Sequence, residues 1–259
     1  NEEFKARSQF SQVMHRLMKN KLAMLGLAIL LFMIAIAAGA DFIADYESEV
    51  IGQNMAERLQ GPSAEHWFGT DQFGRDVFAR IVHGARISLT MSIIAMTIAV
   101  AIGSIIGAIA GYFGGFRDNI LMRFMDILLA IPPMLMSISI VAALGQSMSN
   151  LLIALSVAYI PVFARVIRSS ILSLKDQEFV EGSRCCVNNH AHIIAKHIIP
   201  NAIGPIIVQA TLAMGATILI IASLSFMGLG VKPPASEWGT MLYEARNFMR
   251  QAPYLVLFP

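Results

Sequence analysis

Long runs without charged residues alternate with short polar segments along the whole chain. A bilayer core of about 30 Å requires about 20 apolar helical residues, so each such run predicts a membrane span. A polar turn at 145–150 divides the longest run, 127–164, into two spans, and the last apolar residues are too few to cross. The pattern predicts an all-α membrane protein with six spans, five complete and the sixth only begun, in the runs 22–40, 87–116, 127–144, 151–164, 198–231 and 252–259.

The composition is typical of an integral membrane protein. Of the 259 residues, 56% are hydrophobic and 14% are charged. The first apolar run is longer than the apolar core of a signal peptide, which predicts a retained span. The net charge of +2 is too small to indicate a nucleic-acid partner, so the predicted environment is the lipid bilayer.

The basic residues between the spans predict the orientation of the chain. The N-terminal arm and segments 117–126 and 165–197 hold 12 of the 19 Lys and Arg residues. Because basic residues collect on the cytoplasmic side, these segments and the N-terminus are predicted to be cytoplasmic. Segment 41–86 carries eight acidic residues against four Arg and is predicted to lie outside.

Glycines recur every four residues on the second span, at Gly103, Gly107 and Gly111, and Gly115 continues the series. This spacing leaves one helix face bare, so that another backbone can approach closely. The series predicts a helix-packing face, with a role in lining the substrate path as the alternative.

Three other patterns concern helix ends and charges. Pro132-Pro133 predicts a kink in the third span, either a tolerated one or part of a moving or pore-lining segment. Asp126 follows Arg123 by three residues and is predicted to pair with it. Outside the membrane, Thr70-Asp71 predicts the cap of a surface helix. Its apolar face would carry Phe73, Val77, Phe78 and Ile81.

Catalytic and metal-binding signatures are missing from the sequence. It has no phosphate-binding GxxxxGK[ST] loop, no HExxH and no GxSxG. His190, His192 and His197 are clustered, but their spacing scatters them around a helix, so neither a metal nor a cofactor is predicted. If the chain performs work, another subunit supplies the energy.

A polar insert at 178–201 separates the fourth and fifth predicted spans. Glu178 and Glu181 lie three residues apart on its first helix, together with the aromatic Phe179 and the basic Arg184. These residue types on a helix outside the bilayer are typical of an element that docks a soluble partner.

The insert resembles the EAA loop of ABC importer permeases: Glu-Ala-Ala, three residues, Gly, nine residues, and an apolar-x-apolar-Pro ending. Here the loop begins with Glu181-Gly182-Ser183 and ends at Pro200 with the expected spacing. Segments 68–77, 84–89 and 225–230 also resemble the C-type permease of dipeptide, oligopeptide and nickel importers. The resemblance covers nearly the whole chain.

This resemblance implies a type I ABC importer permease fold in the bacterial inner membrane. Residues 1–86 would form a cytoplasmic arm, the first span and an extracytoplasmic segment, and 87–259 a C-terminally truncated permease core with a coupling loop at about 170–200. The implied partners are a second homologous permease, two ATP-binding cassette ATPases and an extracytoplasmic substrate-binding protein. The implied ATPase-coupling helix consists of Glu178, Phe179, Val180, Glu181, Gly182, Ser183, Arg184, Cys185, Cys186 and Val187.

The loop departs from the family pattern at Val187, where the family has a glycine that turns between two short helices. A β-branched residue does not easily adopt a left-handed conformation, whereas asparagine does. The turn is therefore predicted to move on by one or two residues, to Asn188 or Asn189.

The implied function is a membrane-spanning, non-enzymatic half of a binding-protein-dependent importer. Peptides are the favoured cargo, and nickel or a metal chelate is the nearest alternative. From other classes, an ion channel or membrane scaffold and an intramembrane enzyme remain as alternatives. A channel would require a ring of charged or carbonyl ligands on a pore face, which the sequence does not show.

Overall fold

The computed structural model describes residues 17–186 and 189–259. Over these residues the chain is helical and no β-strand forms, so the predicted all-α class is confirmed. The main helices are α1 (Lys21–Ala38), α2 (Val77–Phe113), α3 (Gly115–Leu129), α4 (Pro133–Leu144), α5 (Met148–Leu174), α6 (Glu178–Cys186), α7 (His190–Phe226), α8 (Trp238–Ala245) and α9 (Tyr254–Leu257).

Four of the described helices, α1, α2, α5 and α7, are long and apolar enough to cross a membrane. A fifth candidate span is the pair formed by α3 and α4, which is bent by 85°. The bend coincides with the predicted kink at Pro132-Pro133, because neither proline has a backbone N–H to continue the ladder of α3. This span differs from the predicted one in its start: α3 begins at Gly115, and its turns carry Arg117, Asp118, Arg123 and Asp126.

α2 is much longer than a single membrane crossing. Its 37 residues extend over about 55 Å, against about 30 Å of hydrocarbon. Asp76 caps its first turn, because the carboxylate accepts the N–H of Ala79 at 2.9 Å. The predicted cap at Thr70-Asp71 is wrong: Asp71 lies in a preceding turn, where it accepts the N–H groups of Phe73 and Arg75 at 2.8 and 3.0 Å.

α2 and α5 form the centre of the bundle, and α4 and α7 pack beside them. The central core includes Met91, Ala95, Leu155, Phe163 and Ile167, all less than 3% exposed. By contrast, α1 packs on the outside of α2 and buries only Ala37, which leaves most of its apolar surface available to lipid.

One end of the bundle is covered by residues 44–76 and 232–259, which we call the cap. The hydroxyl of Tyr254 donates to the carbonyls of Gln60 and Thr70 at 2.8 and 2.9 Å. The predicted start of a sixth span therefore forms one helical turn, α9, within the cap, and the sixth span itself stays a prediction. The cap has a small apolar core of Met241, Ala245, Ala252 and Leu255, which packs on Val77 at the start of α2.

Candidate functional site

The end of the bundle opposite the cap, which we call the loop end, carries α6 and the start of α7. α6 follows α5 after a turn at 175–177, where the carbonyl of Gln177 accepts the N–H groups of Val180 and Glu181 at 2.9 and 3.2 Å. Glu178 and Glu181 lie in its first turn, where negative charge stabilises the helix N-terminus.

The two faces of α6 have opposite environments. Val180 is fully buried and belongs to the central apolar core. Glu178, Phe179, Glu181 and Gly182 are exposed, and a Cβ added to Gly182 would meet no atom of the described residues within 4 Å. Val180 thus anchors the helix to the bundle, while an acidic and aromatic face with a bare glycine is left open.

The first turns of α7 lie beside α6 and contribute to the same core. Ile193 and Ile198 are buried with Val180. Between them the backbone is π-helical over Ile194–Ile198, and the N–H of Ile199 donates to the carbonyl of Ile194. Pro200 explains why the hydrogen bonds here span five residues instead of four. It lacks a backbone N–H, and its ring crowds the carbonyl four residues earlier.

A side-chain contact joins the loop end to α2. The hydroxyl of Tyr112, in the last turn of α2, lies 2.9 Å from Nδ1 of His190, the first residue of α7. The ring of Phe113 meets the same imidazole edge-on, with centroids 5.8 Å apart. His190 therefore helps to fix the start of α7 against α2.

Two ion pairs fasten α3 to α5 near the same end. Arg168 donates to both carboxylate oxygens of Asp118 at 2.5 and 2.6 Å, and Arg165 pairs with Asp126 at 2.5 Å. The predicted pair of Asp126 with Arg123 is thus wrong. Both arginines are about 40 or 50 positions from their carboxylates, so only the tertiary packing brings them together.

The turn between α6 and α7 is described only in part, because Val187 and Asn188 lie outside the described residues. Of the two positions predicted for the left-handed turn, Asn189 does not adopt it, and Asn188 stays a prediction. Its φ is −96°, and its side chain caps α7 by accepting the N–H of Ala191 at 3.0 Å. Ser183 is half-buried, and the backbone of Arg184, Cys185 and Cys186 completes α6.

The glycine series on α2 faces α5. A Cβ on Gly103 would lie 2.7 Å from Cβ of Phe163, and one on Gly107 would lie 2.4 Å from the carbonyl oxygen of Ala164. A Cβ on Gly111 would meet the backbone of α5 at 3.0 Å. By contrast, Gly115 lies beyond the end of α2 and begins α3, with a φ of +58° and open space around it, so it is not part of the packed face.

A buried charge network lies in the cap and was not predicted from the sequence. Asp71 accepts from Arg75 and from Arg80 at 2.6 Å each, and Glu244 pairs with the same two arginines at 2.8 and 3.0 Å. Both arginines are 3% exposed or less. The predicted surface helix left both arginines off its apolar face, and no local signal revealed Glu244, which is more than 160 positions away.

The cap also holds a histidine between two carboxylates. Nδ1 of His66 lies 2.7 Å from Asp76, and Nε2 lies 3.5 Å from Glu57. The hydrogen bond to Asp76 raises the pKa of His66 above 6.5, with the charges of both carboxylates adding to the effect and burial opposing it. The imidazolium form thus stabilises the folded cap.

We expect this stabilisation to be complete below the unfolded pKa of His66 and to be lost as the pH rises through the raised folded pKa. The melting temperature of wild type should therefore exceed that of His66→Asn at about pH 5.5, and the difference should shrink by about pH 8.5. His192→Asn removes an exposed histidine at the loop end and is the control. A difference that grows with pH would contradict the assignment.

Comparison with known proteins places this architecture in a family. Residues 103–258 match the family of binding-protein-dependent transport system inner membrane components. The chain belongs to this family. Residues 8–62 of the permease also match the N-terminal transmembrane domain of oligopeptide transport permease C.

Two relatives are similar over nearly the whole permease. The dipeptide transport system permease protein DppC of Alkalihalophilus pseudofirmus is 46% identical over 100% of this chain and 84% of the relative. The glutathione transport system permease protein GsiD of Escherichia coli is 39% identical over 98% of this chain and 83% of the relative. The predicted membership of the ABC importer permeases is confirmed.

A solved structure, the inward-facing methionine ABC transporter MetNI, shares the fold of the permease. The TM-score is 0.56 with 18% identity, over 69% of this chain and 86% of the other. At this identity the likeness supports the fold alone.

Proposed function

We propose that this permease pairs with a second homologous permease to form a peptide translocation pathway, and that ATPases docked at α6 drive it. The observation that carries the proposal is the asymmetry of α6, with Val180 buried in the bundle and the Glu178, Phe179 and Gly182 face left open. A helix that buries Val180 in the bundle and leaves an exposed acidic and aromatic face suits a rigid contact with a second protein.

The contacts of α6 suggest how movement would pass into the membrane. Val180 shares its core with Ile193 and Ile198 at the start of α7, and α5 leads directly into α6. Displacement of α6 by an ATPase would therefore move α5 and α7 as packed units, since cores shift between discrete packings rather than deform continuously. The contact of Tyr112 with His190 would carry the same movement to α2.

ATP hydrolysis is assigned to two ATP-binding cassette partners. The sequence has no phosphate-binding loop of its own. This agrees with a transport subunit in which movement of the partners opens the pathway to one side of the membrane or the other. An extracytoplasmic substrate-binding protein would deliver cargo to the opposite face.

The proposed cargo is a short peptide, in the first place a dipeptide. The relatives named above serve dipeptide and glutathione systems, and glutathione is itself a small peptide. Competition in cells tests this proposal: unlabelled dipeptide should abolish uptake of a labelled dipeptide, whereas a nickel salt should leave it unchanged. Uptake of nickel that depends on this chain, without uptake of dipeptide, would contradict the peptide assignment.

The proposed orientation has the N-terminus and loop end in the cytoplasm and the cap outside, following the distribution of basic residues. In a background with Cys185 and Cys186 replaced by serine, a membrane-impermeant thiol reagent added to spheroplasts should label Ser63→Cys and not Ser8→Cys. The reverse pattern would invert the topology.

A further inference from the structure

Three arginines surround an open cleft on the surface of the cap. Arg58, Arg246 and Arg250 line a cleft of about 730 Å³ together with Phe248 and Met249. All three arginines are exposed. No acidic residue of the described ranges lines the cleft, so it presents a concentrated positive charge on a face of the protein that is otherwise rich in acidic residues.

The three guanidinium groups have no ion-pair partner among the described residues. The carboxylates of Asp71 and Glu244, which belong to the same cap, already pair with the buried Arg75 and Arg80. Glu57, next to Arg58 in the sequence, lies 3.5 Å from His66. These three carboxylates are therefore engaged elsewhere.

Aromatic rings hold two of these arginines in place without neutralising them. The guanidinium of Arg246 lies 4.1 Å from the ring centroid of Tyr243, and that of Arg58 lies 5.8 Å from that of Phe248. Such cation–π contacts orient a guanidinium and leave its N–H donors free to bind carboxylates. The cleft is therefore preorganised for an anionic partner.

The height of the cleft above the membrane favours a soluble protein over lipid. Ala245 and Ala252, which flank the cleft segment, pack with Val77 at the tip of α2. From Val77 to Ile87, where the charge-free run begins, the helix rises about 15 Å. The headgroup layer is only about 5–8 Å thick on each side, so a bilayer core that begins near Ile87 would leave the cap segment packed on Val77 beyond the headgroups.

We propose that Arg58, Arg246 and Arg250 dock an acidic face of the extracytoplasmic substrate-binding protein. Arginine, aromatic residues and methionine are the types enriched at protein interfaces, and here they share one cleft. This inference rests on the proposed function, since it assigns a docking surface to one of the proposed partners. Exposed charges of this kind act mainly on the rate of association.

The test uses the complete importer in neutral-lipid nanodiscs, with both permeases and both ATPases present. Association of the binding protein is measured at low and high ionic strength for wild type and for Arg246→Glu/Arg250→Glu. We expect the association rate of the variant to fall about 10-fold to 100-fold at low salt and to approach that of wild type at high salt. ATPase activity without binding protein should not change.

Two controls make the result specific. Lys232→Glu reverses an exposed charge of the cap outside the cleft and should have a much smaller effect. Arg246→Lys/Arg250→Lys keeps the charge and should retain most of the association rate. An equal loss in Lys232→Glu, or an unchanged rate and salt dependence in the double reversal, would overturn the proposal.

If the proposed function itself is wrong, the experiment gives a different result. In that case the wild-type complex itself would neither bind the binding protein nor respond to it with increased ATP hydrolysis. A defect of the double reversal that occurs only in anionic nanodiscs would assign the cleft to lipid headgroups and also overturn the docking proposal.

Discussion

Replacing Gly182 with tryptophan is expected to abolish ATP-driven uptake while the protein still inserts and folds. The position is open among the described residues, since a Cβ there meets none of their atoms within 4 Å. The bulky ring would therefore clash with a partner seated on α6. Loss of a central contact typically costs 2 kcal/mol or more, so we expect binding of the ATPases to weaken by about 30-fold or more.

Two variants control this experiment. Gly182→Ala adds a single methyl group to the same face and should retain most of the transport. Gly26→Trp adds the same ring at another open glycine, on the outside of α1, and should leave ATPase binding intact. Normal uptake and normal ATPase assembly in Gly182→Trp would refute the assignment of α6 as the docking helix.

Gly107→Leu is expected to be the most disruptive single change in the membrane. Its Cβ would lie 2.4 Å from the carbonyl oxygen of Ala164 and 3.0 Å from the backbone nitrogen of Arg168, so α2 and α5 would have to separate. Overpacking of this kind costs about 3 kcal/mol or more. For a chain of this size we expect the melting temperature in detergent to fall by about 6–12 °C.

Gly215→Leu is the matched control, because this glycine also lies inside a spanning helix but has no neighbour within 4 Å. In the isolated chain its melting temperature should be close to that of wild type. Equal melting temperatures for Gly107→Leu and wild type would show that the glycine series faces lipid or an open pathway instead of α5.

Regular spacing in the sequence predicted the features that depend on neighbours along one helix. The charge-free runs located α1, α2, α5 and α7, because a bilayer requires long apolar segments whatever their partners are. Pro132-Pro133 located the break between α3 and α4, because proline interrupts a helix through its own covalent structure. The resemblance of the 178–201 insert to a known loop identified the family.

Features that depend on tertiary partners were missed. Asp126 has an arginine three residues away, yet it pairs with Arg165 on another helix, where the chain geometry brings the two side chains closer. Arg75 and Arg80 are charged residues in an amphipathic pattern, which normally indicates exposure. They are buried because Glu244, far along the chain, neutralises them together with Asp71. The spacing of residues within one segment does not show which distant carboxylate its arginines will pair with.

The central claim is that this chain is half of a transport pathway that works only when partners drive it through α6. The most direct test is uptake of labelled dipeptide into proteoliposomes that contain either the chain alone or the complete set of two permeases, two ATPases and binding protein. We predict no ATP hydrolysis and no flux with the chain alone, and uptake by the complete set only with ATP on the α6 side and binding protein on the cap side. Steady flux through the lone chain without ATP would contradict the account and favour a channel.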